Sequence, residues 1–515
     1  MRNWVPLLLT AAGLVHGASP RVIVLVIDGL RPDAIRPDIM PNLARLKQEG
    51  TWCANAHSVF PTVTRVNSAS ISTGTLPAIH GIVSNTMWVE AVSARPFDTS
   101  NYQNLVKLAA VSGGRALAAP TLAETLEEAG VRFVALTSGS TGSGFLLNPE
   151  AISGNGVLIS AGLEEGKRAA YPDRVNQEIQ RRFGIGKADE GIPSLLWTEK
   201  VLRGYVIPEM KPAVVIDWMT EPDGAQHRFG VGSPEAMEAL KVTDEQIGLL
   251  LDQVRKWAPE TNLIVTADHG FGAEPDPVDL EGALKGAGVA GDVVTASNGA
   301  SVLIYAKNHD SGVIQKTVER LQQTDGVDVI FTAAAKPDSG IVHCADGRRE
   351  QGWVKGTFSL ERAGECNASR GADIIATFQW SSEKNAFGFA GAQKIASNDK
   401  RSGVAGRSGH GGLNPWMLHT PLLLWGPDFR KRTEIQAPVG NFDIAPTILS
   451  MEGIPAPPAM SGRAIAEGLA KSKTKEPARK VRTIRVKSGT YCAEIQISAA
   501  GSHEYLDSGQ RGCGI

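Results

Sequence analysis

Short apolar runs recur along the chain with helix-like stretches between them. Residues 21–27 (RVIVLVI) are apolar and β-branched after the opening arginine, the pattern of a central strand buried on both faces of a parallel sheet. Similar runs follow at Phe133–Thr137, 213–218, 263–266 and Leu422–Trp425. Helical patterns occupy 121–129 (TLAETLEEA) and 234–254. Strands alternating with helices predict an α/β fold: a doubly wound, mostly parallel sheet with helices on both faces. Such sheets bind ligands beyond the carboxyl ends of their strands, so the residues just after each run are the candidates for chemistry.

Residues 271–409 break the rhythm. They contain SVLIYA (Ser301–Ala306), a helical stretch at 314–323 and VDVIFT (Val327–Thr332), followed by Gly-rich polar sequence. This predicts a subdomain inserted into a catalytic domain spanning 19–463. The tail, 464–515, starts with a basic linker (471–487, broken by Pro477). Two alternating segments, 483–487 and 491–498, flank Ser488-Gly489 and predict a small β-hairpin appendage. Residues 1–18 read as a signal peptide: Arg2, an apolar stretch over 4–14, then Val15-His16-Gly17-Ala18. No later stretch is long and apolar enough to span a bilayer, so the expectation is an exported protein, periplasmic or secreted.

Composition changes this picture little. A net charge of -2 gives no sign of a global nucleic-acid or membrane electrostatic footprint, and no nucleic-acid-binding module is evident. Of five cysteines, Cys344–Cys366 and Cys492–Cys513 are each spaced to close a local loop in an oxidising compartment, leaving Cys53 over.

The chemistry lies at the strand ends. Asp28 follows the first run. Asp223 and His227 follow the 213–218 run, sharing a helical face or lining a loop. Asp268 and His269 end LIVTADHG, and His410 lies in RSGHGGLNP. Three aspartates and three histidines suit two borderline divalent cations with mixed N and O ligands. Without cations, so many ionisable groups at one edge would repel one another.

A second segment, 60–85 (FPTVTRVNSASISTGTLPAIHGIVSN), predicts a turn at Phe60-Pro61-Thr62 and a helix over 64–73. Thr62 and Thr64 are helix caps on one reading. On the other, a threonine hydroxyl beside a metal at a helix N-terminus is a nucleophile.

Together these motifs resemble the type I phosphodiesterase/nucleotide pyrophosphatase family of the alkaline phosphatase superfamily. The matching pieces are VIDGLRPD (26–33), FPTVTRVN (60–67), STGTLPAIHGIVSN (72–85), EPDGAQHRFG (221–230), TADHG (266–270) and GHGGLNPWM (409–417). They occur in the family's order across about 21–455. The resemblance implies an alkaline phosphatase-like fold and two Zn2+, other divalent cations being alternatives. It places Asp28, Asp268, His269 and the Thr64 oxygen on one ion, and Asp223, His227 and His410 on the other. Thr64 matches the nucleophile that forms a phosphothreonine, and Asn85 matches the residue that binds a phosphoryl oxygen with the Thr64 backbone N–H. Asp33, His80 and Asn67 occupy recurring positions with a supporting or folding role.

Two departures matter. Arg65 stands where nucleotide-cleaving members commonly carry an aromatic residue, and Gln226 stands where glycine is usual. Arg65 is a candidate substrate contact, suited to gripping a phosphate oxygen. It raises phosphomonoesters, phospholipid headgroups or phosphonates as alternatives to nucleotide substrates. A non-catalytic metal-binding surface protein is the remote alternative. No CxPxR-type sulfatase motif surrounds Thr64. The Gly-rich stretch SGSTGSG (138–144) lacks the Lys-Ser/Thr ending of a phosphate-cradling loop.

Overall fold

The computed structural model describes residues 21–187, 191–338, 341–342, 344, 349–397 and 407–513. The expected signal peptide lies outside them.

Nine strands form the central sheet: β1 (Val22–Ile27), β2 (Thr51–Cys53), β3 (Phe133–Thr137), β4 (Val157–Gly162), β5 (Arg168–Tyr171), β6 (Val214–Met219), β7 (Asn262–Thr266), β8 (Leu422–Trp425) and β9 (Thr433–Ile435). Their spatial order is β9-β2-β8-β7-β1-β6-β3-β4-β5. The middle five, β7-β1-β6-β3-β4, are mutually parallel. β8 and β5 run antiparallel to their neighbours, so the Leu422–Trp425 run turns the sheet's direction near one side.

Alternation along β1 explains its continuous apolar run. Val22, Val24 and Val26 enter one core; Ile23, Leu25 and Ile27 enter the other. Helices cover both faces. Thr64–Thr73, Leu122–Glu128, Thr141–Leu147 and Ile444–Glu452 pack into the first core. Pro41–Glu49, Asp173–Phe183, Ile192–Val201 and Pro234–Trp257 pack into the second. The 121–129 pattern becomes the helix Leu122–Glu128, opened by a capping box between Thr121 and Glu124.

Gly272 and Gly409 pair as an antiparallel bridge, where the chain leaves the core and returns. In between, Ser301–Ala306 and Val327–Thr332 belong to a separate five-stranded sheet. Ile374–Phe378 lies between them, antiparallel to both, which makes a split βαβ unit around the helix Ser311–Gln323.

The tail is more extensive than a hairpin. It forms three antiparallel strands, Arg479–Ser488, Tyr491–Ala500 and His503–Arg511. The first strand begins inside the basic run, and the last has a mixed, Gly-interrupted pattern that hides it in the sequence. This sheet docks on the rest of the molecule: Tyr505 Oη donates to the buried Asp443 at 2.8 Å, and Gly509 N–H donates to Leu413 O at 3.1 Å. Disulfides join Cys344 to Cys366 and Cys492 to Cys513, and Cys53 is free and buried.

Candidate active site

The sheet aligns the chemistry. β1, β6 and β7 are adjacent and parallel, so Asp28, Asp223 and Asp268 emerge at one edge. Asp223 begins the helix Asp223–Phe229, which puts His227 one turn along on the same face, with Nε2 3.3 Å from Asp223 Oδ1. The Gly272–Gly409 bridge carries His410 to the same place, and Nε2 of His227 and His410 are 3.1 Å apart. Two groups result: Asp28, Asp268 and His269, fully buried, and Asp223, His227 and His410 beside them. The rings of His269 and His410 stack at 3.7 Å between centroids, joining the groups.

Backbone carbonyls orient all three imidazoles. His227 Nδ1 lies 3.1 Å from Ser408 O, His269 Nδ1 3.0 Å from Gly270 O, and His410 Nδ1 2.8 Å from Thr62 O. With Nδ1 donating, each Nε2 keeps a lone pair turned toward the carboxylates, as metal-ligating histidines require. Trp218 Nε1 donates to Asp28 Oδ2 at 2.9 Å and Gly29 N–H donates to Asp268 Oδ1 at 3.1 Å. Neither tie was legible in the sequence. The other oxygens, Asp28 Oδ1 and Asp268 Oδ2, are buried and have no hydrogen-bond donor among the described residues. Burial pushes both carboxyls up, and at Asp28 the charges of Asp268 and Asp223 add to it. A divalent cation offsets such a concentration of negative charge, so the donor set fits one.

Glycines after two of these residues permit the close packing. Gly29 has φ +73° and Gly411 has φ +105°, and a Cβ on Gly411 would stand 2.1 Å from Asn298 O.

Thr64 opens the helix Thr64–Thr73 and is buried. Its Oγ1 is 3.3 Å from His269 Nε2. Its side chain makes no cap, and neither does that of Val63 at the N-cap position. Thr62 is tied elsewhere: its Oγ1 donates to Gly412 O at 3.0 Å and accepts from Gly411 N–H. Asn67 braces the turn, donating to Val59 O and Val63 O while Val59 N–H donates to its Oδ1. Asn85 Oδ1 accepts the Arg65 backbone N–H at 2.9 Å, which places this amide at the first turn of the helix. The Arg65 side chain is half-buried, with Nη1 3.5 Å from Ser140 Oγ, and its charge offsets only a small part of the rise that burial and the neighbouring aspartates impose on the Asp28 carboxyl.

The remaining motif residues sit apart from this cluster. Asp33 pairs with the buried Arg31 at 2.6 Å. His80 accepts from Ile82 N–H through Nδ1 and lies 3.0 Å from Ser70 Oγ. Gln226 donates to Gly29 O at 3.0 Å, tying the helix that carries His227 to the turn that follows Asp28.

The model of the family described as type I phosphodiesterase/nucleotide pyrophosphatase matches residues 22–381. The chain belongs to this family. Venom phosphodiesterase CdcPDE of Crotalus durissus collilineatus is 25% identical over 260 residues, 48% of this chain and 26% of that protein. Ectonucleotide pyrophosphatase/phosphodiesterase family member 1 of Homo sapiens is 26% identical over 265 residues, 49% of this chain and 24% of that protein. The matched stretch is thus about a quarter of the length of these curated relatives. Among solved structures, murine ectonucleotide pyrophosphatase/phosphodiesterase 5 aligns over 87% of this chain and 100% of its own, with a TM-score of 0.59 at 16% identity. An inactive variant of that protein in complex with AMP gives a TM-score of 0.60 over 88% of this chain. The fold is therefore the alkaline phosphatase-like α/β fold of the type I phosphodiesterases.

Proposed function

We propose that this protein is an exported phosphoric ester hydrolase, a phosphodiesterase or nucleotide pyrophosphatase, that works through a phosphothreonine on Thr64. The observation that carries the reading is Thr64 Oγ1 lying 3.3 Å from His269 Nε2, against two adjacent Asp/His groups. Asp28, Asp268, His269 and the Thr64 oxygen would hold one zinc; Asp223, His227 and His410 would hold the other. Bound there, the ions neutralise phosphate charge and lower the pKa of the threonine hydroxyl.

The chain's own residues do the positioning. Thr64 lies in the first helical turn, where backbone N–H groups lack intrahelical partners and favour an anion. Asn85 spends its oxygen on the Arg65 N–H, so its Nδ2 is the end that can donate to a phosphoryl oxygen. Thr64 Oγ1 forms a bond to phosphorus, giving up its proton, while the bond to the leaving oxygen breaks and that group departs protonated. Water then displaces Thr64 from phosphorus and restores the hydroxyl.

Membership of the family supports the reaction class. Two disulfides, and relatives named as venom and ecto-enzymes, support export to the periplasm or medium. No helix among the described residues is long and apolar enough to cross a membrane.

Arg65 favours a second reading. A guanidinium beside the nucleophile suits a substrate with an extra phosphate charge, hence a phosphomonoester or phosphonate. Zinc-loaded protein assayed on bis-p-nitrophenyl phosphate and p-nitrophenyl phosphate separates the two. Faster turnover of the diester is expected. A strong monoester preference overturns the diesterase assignment, and no turnover of either leaves a non-catalytic metal-binding surface protein.

A further inference from the structure

The geometry points to a third metal site, built from His57, His419 and Asp507, that pins the C-terminal three-stranded sheet to the catalytic core. Their ligand atoms all lie within 4.8 Å of one another, the same closeness that marks the two groups beside Thr64. His57 Nε2 is 2.8 Å and His419 Nε2 3.9 Å from a single oxygen, Asp507 Oδ1. Tetrahedral zinc with ligands at about 2.0–2.2 Å sets them roughly 3.3–3.6 Å apart, between these two separations. The Asp223 group has the same form, one carboxylate oxygen 3.3 and 3.8 Å from two imidazole nitrogens.

The surroundings follow the same rule. His57 Nδ1 lies 3.0 Å from Val439 O, the arrangement that orients His227, His269 and His410. The second oxygen of Asp507 accepts from Ser498 Oγ at 2.6 Å, which fixes the carboxylate. His57 and Asp507 are buried, while the His419 side chain is 31% exposed. Three ligands of the N2O type, with the fourth position open toward solvent at His419, suit zinc or another borderline divalent cation.

One cation already stands nearby. Arg479 Nη2 is 3.8 Å from Asp507 Oδ1, too far for a hydrogen bond, and its side chain is 35% exposed. Its Nε donates instead to Ser498 Oγ at 3.1 Å, so the guanidinium is held by the hydroxyl that fixes Asp507 and leaves Oδ1 to the two imidazoles. The ordinary alternative is a buried His57–Asp507 hydrogen bond with Arg479 as neighbour.

Metal analysis of purified full chain distinguishes the two. After zinc loading and desalting, His419→Ala is expected to carry one equivalent less than the unmodified chain, with the Thr64-side centre intact. Equal zinc in both overturns the proposal and leaves the hydrogen-bonded pair only. A second variant tests it from the other side, in case His419→Ala folds poorly. With Asp28, Asp223, His227 and His269 all changed to Ala, one equivalent should remain. No bound zinc in that folded protein also overturns it. Cobalt in this variant should give the absorption of a low-symmetry N/O site, and featureless weak bands would count against it.

Discussion

The imidazole rings of His269 and His410 stack face to face at 3.7 Å, although one belongs to each Asp/His group. The two groups are therefore in direct contact, and His269, which touches His410, also lies 3.3 Å from Thr64 Oγ1. Four expectations follow from this arrangement and its supports.

Replacing Thr64 with Ala should lower turnover of bis-p-nitrophenyl phosphate at least about 1000-fold, equivalent to about 4 kcal/mol of barrier. Zinc content should stay close to that of the unmodified protein, because the aspartates and histidines remain. Thr64→Ser should keep a measurable fraction of the rate. Undiminished hydrolysis in purified Thr64→Ala would remove the threonine from the mechanism.

Dialysis against a chelator should abolish hydrolysis, and added zinc should restore it. The melting temperature should move with metal, since a ligand at about 100 times its Kd adds about 2.7 kcal/mol to the folded state. Buried Asp28 and Asp268 make the stripped protein the less stable form. A calorimetric scan with and without zinc reads this directly.

Arg65→Ala should cut kcat/KM for p-nitrophenyl phosphate by about 10–100-fold, the range of a lost hydrogen bond to a charged group. The diester, with one charge fewer, should lose less. Arg65→Phe should improve nucleotide diesters relative to the monoester through stacking. Equal losses on both substrates would assign Arg65 a structural role.

His80 supplies a pH test. Its burial, with the charge of Arg370, holds the imidazole down to about 3. The unfolded chain takes up a proton on this group below about pH 6.5 while the folded protein does not. Its contribution is therefore in place above about pH 6.5 and is lost steadily as pH falls toward 3, by about 1.4 kcal/mol per unit. In denaturant titrations from pH 7 to 4, His80→Gln should show a shallower fall in stability than the unmodified protein.

The elements legible in the sequence were those with one unambiguous period. The RVIVLVI run is buried on both faces and needed no partner to be recognised. The helix at Thr64–Thr73 followed a clear turn. Asp28, Asp223 and Asp268 were legible because strand ends in a parallel sheet face one edge, and His410 was singled out with them as the imidazole of RSGHGGLNP. The direction of β8 was not legible, since an apolar run reads the same either way. The ties of Trp218 to Asp28 and Asn67 to the 59–63 backbone depend on long-range packing or loop shape. The third tail strand, HEYLDSGQR, alternates weakly and was not legible. In the fold Asp507 is buried and paired with His57, from the other end of the chain, with His419 and Ser498 beside it.

That pairing has a consequence in time. His57 and Asp507 are 450 positions apart, yet both are buried and 2.8 Å from each other. Contacts of such separation form late, because the intervening loops must close before the contact contributes. The segment leading into Thr64 thus acquires its final buttress only after the last tail strand has been synthesised and seated. Until then His57 has its contact to Val439 O but lacks the carboxylate that closes the other side of its ring.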